Sequence, residues 1–442
     1  MASLFQPISG SITVPKGFRT SGVYCDVKRL GTGKGSNKKV DLDLAVIASE
    51  VAGPVAGLVT TNQVCAAPVK WCLERLKTGR GQAIVVNSGN ANACTGERGL
   101  RDAQTMARQT GRALKIDPHL VYVASTGRIG IALPMPNVNR GIREAVSCLR
   151  SGSRIDRLAA QAIMTSDTHP KEYAVEIPVR EGRIRIGGIA KGAGMIDPWM
   201  TPTGKRSSES GLHATMLAFL TTDVAMDQAL LQRALNRAVL HSFNAVTVDG
   251  DMSTNDTVLL MANGLAGNRV IRSDRSPAFR AFQAALDRVC LELAHMMVKD
   301  AEGASKFVTL KVSGARSDAE ARSAATAVAN SLLVKTSWCG GDPNWGRILD
   351  ALGYSSAQIV EEKVDLAYSA PDSEKKAYSL RGGKPTRVSF DRLCAEVARD
   401  AFELHIDLNL GKGKAEVYTC DLTEEYVDFN KGDISNPAAL GG

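Results

Sequence analysis

The stretch Ala214-Thr215-Met216-Leu217-Ala218-Phe219-Leu220-Thr221-Thr222-Asp223 joins two unlike pieces of chain. From Met216 onward it is apolar and reads as the start of a buried strand or helix. Ahead of it, TPTGKRSSESG (201–211) is polar and rich in turn residues, the composition of an exposed loop. A threonine therefore stands where a loose segment enters a packed one. A threonine hydroxyl needs activation before it attacks a carbonyl, and one route makes it the first residue of a new chain. Its own α-amine, with an ordinary pKa of about 7.7–8.0, is then the adjacent base. A small residue, then Thr, then a buried segment suits a strained bond that the hydroxyl severs itself. Ala-Thr pairs are common, so spacing alone carries little.

Outward from this junction the chain alternates β-branched runs with Gly-, Asn- and Ser-rich turns. AIVVN (83–87) and VYVAS (121–125) read as strands. Between them Leu100, Ala103, Met106, Ala107, Thr110 and Leu114 share one helical face. YAVEIPV and RIRIGGI (173–189) read as a hairpin. SPAFRAFQAALDRVCLELAHMMVK carries a three-four stripe of Phe279, Phe282, Leu286, Val289, Leu293 and Met296, a helix with a core-facing side. FVTLKVSGA then reads as a strand. SDAEARSAATAVANSLLVK follows as one helix opened by Ser317 and Glu320 in capping-box spacing. VDLAYSA, DRLCAEVARDA, FELHIDLNL and EVYTCDL complete a βαβ-rich end. The pattern is α/β, with a soft boundary dividing 1–305 from 306–442.

The whole chain narrows the classes. At 442 residues it can bury a full core in two or three domains; it is 44% hydrophobic and 5% aromatic, so aliphatic side chains fill most of that core. The charge of +8 is spread over pairs such as Lys38–Lys39, Arg183 with Arg185, and Lys205–Arg206. No recognition-helix pattern and no interleaved aromatic and basic strand accompanies it, which argues against nucleic acid. A solvated surface, or attraction of small anionic substrates, accounts for the excess. Nine cysteines, an odd number with no Cys-x-x-Cys pair, point to reduced thiols and a cytoplasmic setting. The N-terminus has no secretory h-region, and no apolar run reaches the ~20 residues of a membrane span.

Several motifs fail. GTGKGS (31–36) lacks the Lys-Ser/Thr placement of a phosphate loop and reads as a turn. The six histidines (119, 169, 213, 241, 295, 405) show no His-Glu-x-x-His, and His295 falls near the apolar helix stripe. DGDMSTND (249–256) spaces Asp249, Asp251, Ser253 and Asn255 like a calcium loop. It lacks the glycine at its sixth position and has Leu260 at its twelfth, so Asx turns explain it better. No Gly-x-Ser-x-Gly elbow occurs. Neither a metal nor a cofactor is expected.

Nine stretches in order carry a resemblance: AGLVTTNQVCAAPV, IVVNSGNANACTG, ASTGRIG, AIMTSDTHPK, IAKGAGMIDP, ATMLAFLTTD, SFNAVTVDGDMSTNDTVLL, EGASKF and GGDPNWGRIL. The chain resembles the ornithine acetyltransferase family, the self-cleaving glutamate N-acetyltransferases of arginine biosynthesis, from about Val14 through DLTEEYVDFN. The resemblance implies a layered αββα sandwich with a smaller C-terminal α/β domain that completes the substrate site. It implies Thr215 as nucleophile, Ala214–Thr215 as the cleavage point, and Thr126 with Gly127 as the oxyanion-stabilising pair. Thr165, Lys191, Glu302, Asn430 and Ser435 match substrate-contacting positions. The implied substrates are N-acetylornithine and glutamate, with acetyl-CoA as a second donor in one of the two kinds of member. The implied assembly is a heterotetramer of α and β fragments.

Each of these residues also has a plainer reading. Thr126-Gly127 is a possible strand-exit turn, Lys191 a surface lysine, Glu302 a solvated helix end and Ser435 part of a tail. Aminopeptidases that cleave themselves share the implied fold, so a hydrolase is the rival enzyme, and an uncleaved binding protein is the non-enzymatic one. Two departures from the family pattern bear on substrate. Trp199 replaces an Asn, and Thr201–His213 adds 13 residues before Ala214. The insertion either reshapes the donor pocket, giving a different donor or acceptor, or relieves the strain that drives cleavage. Asp197 would set a negative charge near Lys191.

Overall fold

The computed structural model describes residues 4–32, 41–180, 182–205 and 216–431. The chain forms two compact units: residues up to Asn244 with Met252–Met297, and Ala245–Asp251 with Val298–Lys431.

The first unit holds strands β1 (Gln6–Pro7), β2 (Phe18–Val23), β3 (Leu44–Thr60), β4 (Arg80–Asn90), β5 (Val121–Arg128), β6 (Lys171–Val179), β7 (Gly182–Lys191), β8 (Met200–Thr201), β9 (Leu217–Thr222) and β10 (Thr257–Ala262). Its helices are α1 (Val27–Thr32), α2 (Ala67–Leu76), α3 (Gly96–Leu114), α4 (Met135–Ser147), α5 (Ser153–Ala162), α6 (Gln228–Leu240) and most of α7 (Pro277–Lys299). The strands run β1-β6-β7-β9-β10-β3-β4-β5, with β2 and β8 also on β3.

One strand makes this path into two sheets. The first half of β3 pairs with β2 and β4, with Leu44 opposite both Val23 and Asn87. A register shift follows between Ala48 and Gly53. The second half pairs with β10, Val59 opposite Thr257. The irregularity bends the strand and lets it serve both sheets. Ala45, Ile47, Ile84, Val86, Tyr122 and Ala124 of one sheet face Ile189, Leu217, Phe219, Leu259 and Met261 of the other. Behind the first sheet, Val46, Val85 and Val123 pack on Ala103, Met106 and Ala107 of α3 and on Val138 and Ile142 of α4. Behind the second, Gln232 of α6 exchanges two 3.0 Å hydrogen bonds with the Gly57 backbone. α7 lies so close to β7 that a Cβ on Gly188 would come within 2.9 Å of Leu293. The unit is the αββα sandwich the sequence implied. β9 and β10 are buried at every residue, as parallel neighbours covered on both faces must be.

The second unit contains β11 (Phe307–Ala315), β12 (Asp365–Ser369), β13 (Ala377–Arg381), β14 (Lys384–Pro385), β15 (Ala401–Asp407) and β16 (Gly413–Cys420), ordered β14-β13-β12-β15-β11-β16. Val308, Leu310, Phe402, Leu404 and Ile406 turn one sheet face onto α8 (Asp318–Asn330), α9 (Leu332–Cys339), α10 (Trp345–Gly353) and α11 (Phe390–Val397). α12 (Glu424–Asn430) closes the described chain.

Three sequence expectations change here. The single helix from Ser317 is two helices. Ser331 has extended backbone, and its hydroxyl accepts from Val334 N–H to start α9. Beyond the break Lys335 is buried, its Nζ donating to Thr419 Oγ1 at 3.0 Å and to the Cys420 carbonyl. The capping box is half made: Ser317 accepts from Glu320 N–H at 3.2 Å, but the Glu320 carboxylate turns to Arg316 instead. In α7 the stripe is buried through Leu293, after which Met297 is the buried methionine and Met296 only half-buried. GTGKGS begins on the last residues of α1, and its remainder lies outside the described residues.

Candidate active site

β4 and β5 run parallel, and their ends bring Ser88, Gly89 and Asn90 beside Thr126 and Gly127. Only glycine fits there. Gly127 has φ +128, and a Cβ on it would fall 2.3 Å from the Gly89 carbonyl carbon; a Cβ on Gly89 (φ +99) would fall 2.4 Å from Lys28 Cα. Three backbone segments are thus in direct contact: α1, the end of β4 and the end of β5. Asn255, buried, ties the next loop to this stack by donating to the carbonyls of Ala91 (2.7 Å) and Ser125 (2.8 Å).

Lys191, the last residue of β7, is 2% exposed and reaches across to this corner. Its Nζ donates to Thr165 Oγ1 at 2.7 Å and to Thr126 Oγ1 at 3.4 Å. Thr126, Thr165 and Lys191, drawn from three distant stretches of sequence, therefore meet at one ammonium. Asp167 lies behind them. Its Oδ2 accepts from Thr165 N–H at 3.0 Å and stands 3.8 Å from Lys191 Nζ. Its Oδ1 accepts from Gly192 N–H at 2.6 Å and Lys171 Nζ at 2.7 Å. Burial pushes the Asp167 carboxyl up, but Lys191, Lys171 and the Gly192 N–H outweigh it and hold it well below the usual carboxylate range. Lys28 is near enough to feel Asp167 and Lys191. Burial pushes its ammonium down against the pull of Asp43, Asp41 and Asp167.

Asp256 closes the other side. It precedes β10 as Met216 precedes β9, and its Oδ1 accepts the Met216 N–H, the amide joining Met216 to Thr215. Its Oδ2 is buried with no hydrogen-bond partner among the described residues. Burial raises its carboxyl well above the usual range, against Met216 N–H and Lys191 and with Asp197 adding to the rise. Asp197 acts on this acid, and its side chain is buried.

Glu302 and Asn430 meet in the second unit, Asn430 Nδ2 donating to Glu302 Oε2 at 3.0 Å. Ala214, Thr215, His213 and Ser435 lie outside the described residues. The start of the 201–213 insertion is pinned: β8 pairs with β3, Thr201 opposite Val59 and Met200 opposite Thr60. DGDMSTND makes the turns its spacing suggested. Asp251 N–H donates to Asp249 at 3.2 Å and Asn255 N–H to Ser253 Oγ at 2.9 Å. Among the described residues no three His, Cys, Asp or Glu side chains could together hold a metal, and no helix is long and apolar enough to cross a membrane.

Residues 22–432 match the ArgJ family. The arginine biosynthesis bifunctional protein ArgJ of Symbiobacterium thermophilum is 46% identical over 427 residues, 96% of this chain and 98% of that protein. The glutamate N-acetyltransferase of Methanocaldococcus jannaschii is 41% identical, over 96% and 98% of the two chains. Among solved structures, ArgJ from Bacillus halodurans aligns at 39% identity and TM-score 0.46, over 49% of this chain and 99% of that one. An ornithine acetyltransferase from Mycobacterium tuberculosis, solved with ornithine, aligns at 37% and 0.40, over 45% and 100%. The chain belongs to the ArgJ family.

Proposed function

We propose that this chain is an acyltransferase of arginine biosynthesis, moving acetyl from N-acetylornithine to glutamate through Thr215. The observation that carries the reading is the Lys191 ammonium bridging the Thr165 and Thr126 hydroxyls in a buried corner. An oxygen that accepts from an ammonium still has its own proton to donate. Thr126 O–H and Gly127 N–H then serve a developing oxyanion, each donor worth ~2.7–4 kcal/mol. Lys191 takes the donor's carboxylate, with Thr165 beside it.

In the self-cleavage, Thr215 Oγ attacks the Ala214 carbonyl, the peptide C–N bond breaks to free the Thr215 α-amine and leave an ester on Oγ, and water hydrolyses that ester to release the Ala214 carboxylate and the Thr215 hydroxyl. In catalysis that amine takes the Oγ proton as Oγ attacks the acetyl carbonyl. The acetyl C–N bond breaks, the proton passes to the departing amine of ornithine, and the acetyl ester stays on Thr215. The glutamate amine then takes the acetyl, so the kinetics are ping-pong. Glu302, Asn430 and Ser435 of the C-terminal portion complete the substrate contacts, and the cleaved fragments associate as a heterotetramer. No cofactor takes part, and acetyl-CoA as a second donor is a separate question of the same assay.

Two measurements test this. The mass spectrum of purified protein is expected to contain fragments ending at Ala214 and beginning at Thr215, and Thr215→Ala is expected to give one intact chain without activity. Incubation with N-acetylornithine is expected to release ornithine only as glutamate is acetylated. Release indifferent to glutamate assigns a hydrolase instead, and an intact, inactive parent assigns a binding protein.

A further inference from the structure

The start of β10 touches two parts of the site at once. Asn255 and Asp256 are consecutive residues, 2% and 0% exposed. Asn255 Nδ2 donates to the Ser125 carbonyl at 2.8 Å and to the Ala91 carbonyl at 2.7 Å. Asp256 Oδ1 accepts the Met216 N–H, and Thr257 donates its own N–H to the Met216 carbonyl at 3.1 Å. A bond of this kind fixes a peptide plane, because the six atoms of a trans peptide are coplanar. The plane of the Ser125 carbonyl ends on Thr126 Cα, and the plane of the Met216 N–H ends on Thr215 Cα. Two adjacent side chains thus hold the peptide that leads into the oxyanion pair and the peptide that follows the nucleophile.

The proposed scission gives the second hold its weight. A Thr215 freed on its amino side stays attached through the Met216 amide alone. The dipeptide itself is braced: Asn255 Oδ1 accepts from Thr254 Oγ1 at 2.5 Å, its N–H donates to Ser253 Oγ at 2.9 Å, and the Asp256 carbonyl accepts from Thr60 N–H at 2.9 Å. Oδ2 of Asp256 makes no hydrogen bond among the described residues, so Oδ1 carries the directed contact of that side chain. We infer that Asp256 is a positioning residue: braced on the Thr126 strand through Asn255, it aims Thr215 at the Thr126–Gly127 donors by way of the Met216 amide. The inference rests on the reading of Thr215 as nucleophile.

The test follows self-cleavage by mass and then measures kcat and KM for N-acetylornithine per cleaved chain. Asp256→Ala removes the acceptor and is expected to lower kcat about a hundredfold, the cost of ~1 Å of misplacement, with KM little changed. Asp256→Asn keeps an accepting oxygen in the same shape and is expected to stay within about tenfold of the parent. A folded Asp256→Ala chain that stays intact while Asp256→Asn is cleaved supports the inference equally, since the same hydroxyl makes the cut. A cleaved Asp256→Ala within about tenfold of the parent overturns it, as does a loss carried by KM, which is the mark of a deformed pocket. An Asp256→Asn as impaired as Asp256→Ala also overturns it. If Asp256→Ala does not fold, Asp256→Leu, which fills the space without an acceptor, is held to the same outcomes. A parent that is intact and inactive overturns the acetyl-transfer reading itself, whereas the inference alone fails with the parent cleaved and active.

Discussion

Among the carboxylates shared by two bases, Asp167 and Glu403 sit in contrasting surroundings. In the first unit Asp167 lies between Lys171 and Lys191, all of them buried. In the second, Glu403 lies between Lys311 at 2.6 Å and His405 at 3.2 Å, with Lys311 31% exposed and Glu416 a further 3.9 Å from it. The second arrangement settles its charge internally. Burial, with Lys376 and Lys311, drives the His405 imidazolium down to about 4 despite Glu403, so the ring is neutral at pH 7. Ser369 lies 2.9 Å from its Nε2. An imidazole sheds its proton near neutrality, and an ammonium ordinarily does not. The second base, lysine in one cluster and histidine in the other, is what distinguishes the two.

The sharpest way to break this comparison is to delete each carboxylate. Asp167→Ala strands two buried ammonium groups and is expected to cost ~3–5 kcal/mol, read from the urea midpoint. Gly127→Ala comes next, because its Cβ has no room at 2.3 Å from Gly89 and the backbone sits at φ +128. A loss of ~1–3 kcal/mol is expected by thermal melting, with transfer activity falling as well. Glu403→Gln is expected to cost ~1 kcal/mol or less, since Lys311 is partly solvated and His405 already neutral. A cost equal to that of Asp167→Ala would remove the distinction between the two clusters. The smallest effect is in pH. His405 binds its proton less readily folded than unfolded, so its contribution is complete above about 6.5 and drains as pH falls toward about 4. The urea midpoint of the parent minus that of His405→Gln is expected to show that slope in that window and none above it.

Much of the sandwich was legible because its elements have strict periods. AIVVN and VYVAS fall inside β4 and β5, the hairpin is β6–β7, and the α7 stripe is buried through Leu293. The bend in β3 was not legible, because a 17-residue strand that changes partners midway has no local mark. The break at Ser331 was missed because helical composition continues on both sides, and only the Val334 cap reveals it. In the site, Thr126, Thr165 and Lys191 came from the resemblance, and the structure brings them together. Asp167, Lys171 and Asp256 were missed although AIMTSDTHPK and the STND run were in view. Asp167 and Lys171 stand four residues apart in what reads as a loop, and Asp256 reads as a turn residue. Burial brings these ordinary side chains together around Lys191 and Met216, and sequence spacing does not record it.

The position of β9 bears on the proposed cleavage. β9 begins two residues after Thr215 and lies in mid-sheet between β7, from the piece before the break, and β10, from the piece after it. A second seam joins β10 to β3. If the chain is cut at 214/215 as proposed, strand pairing on both sides of the new amine would hold the two polypeptides together. They would part only by unfolding a sheet, so the proposed break would persist as a permanent join.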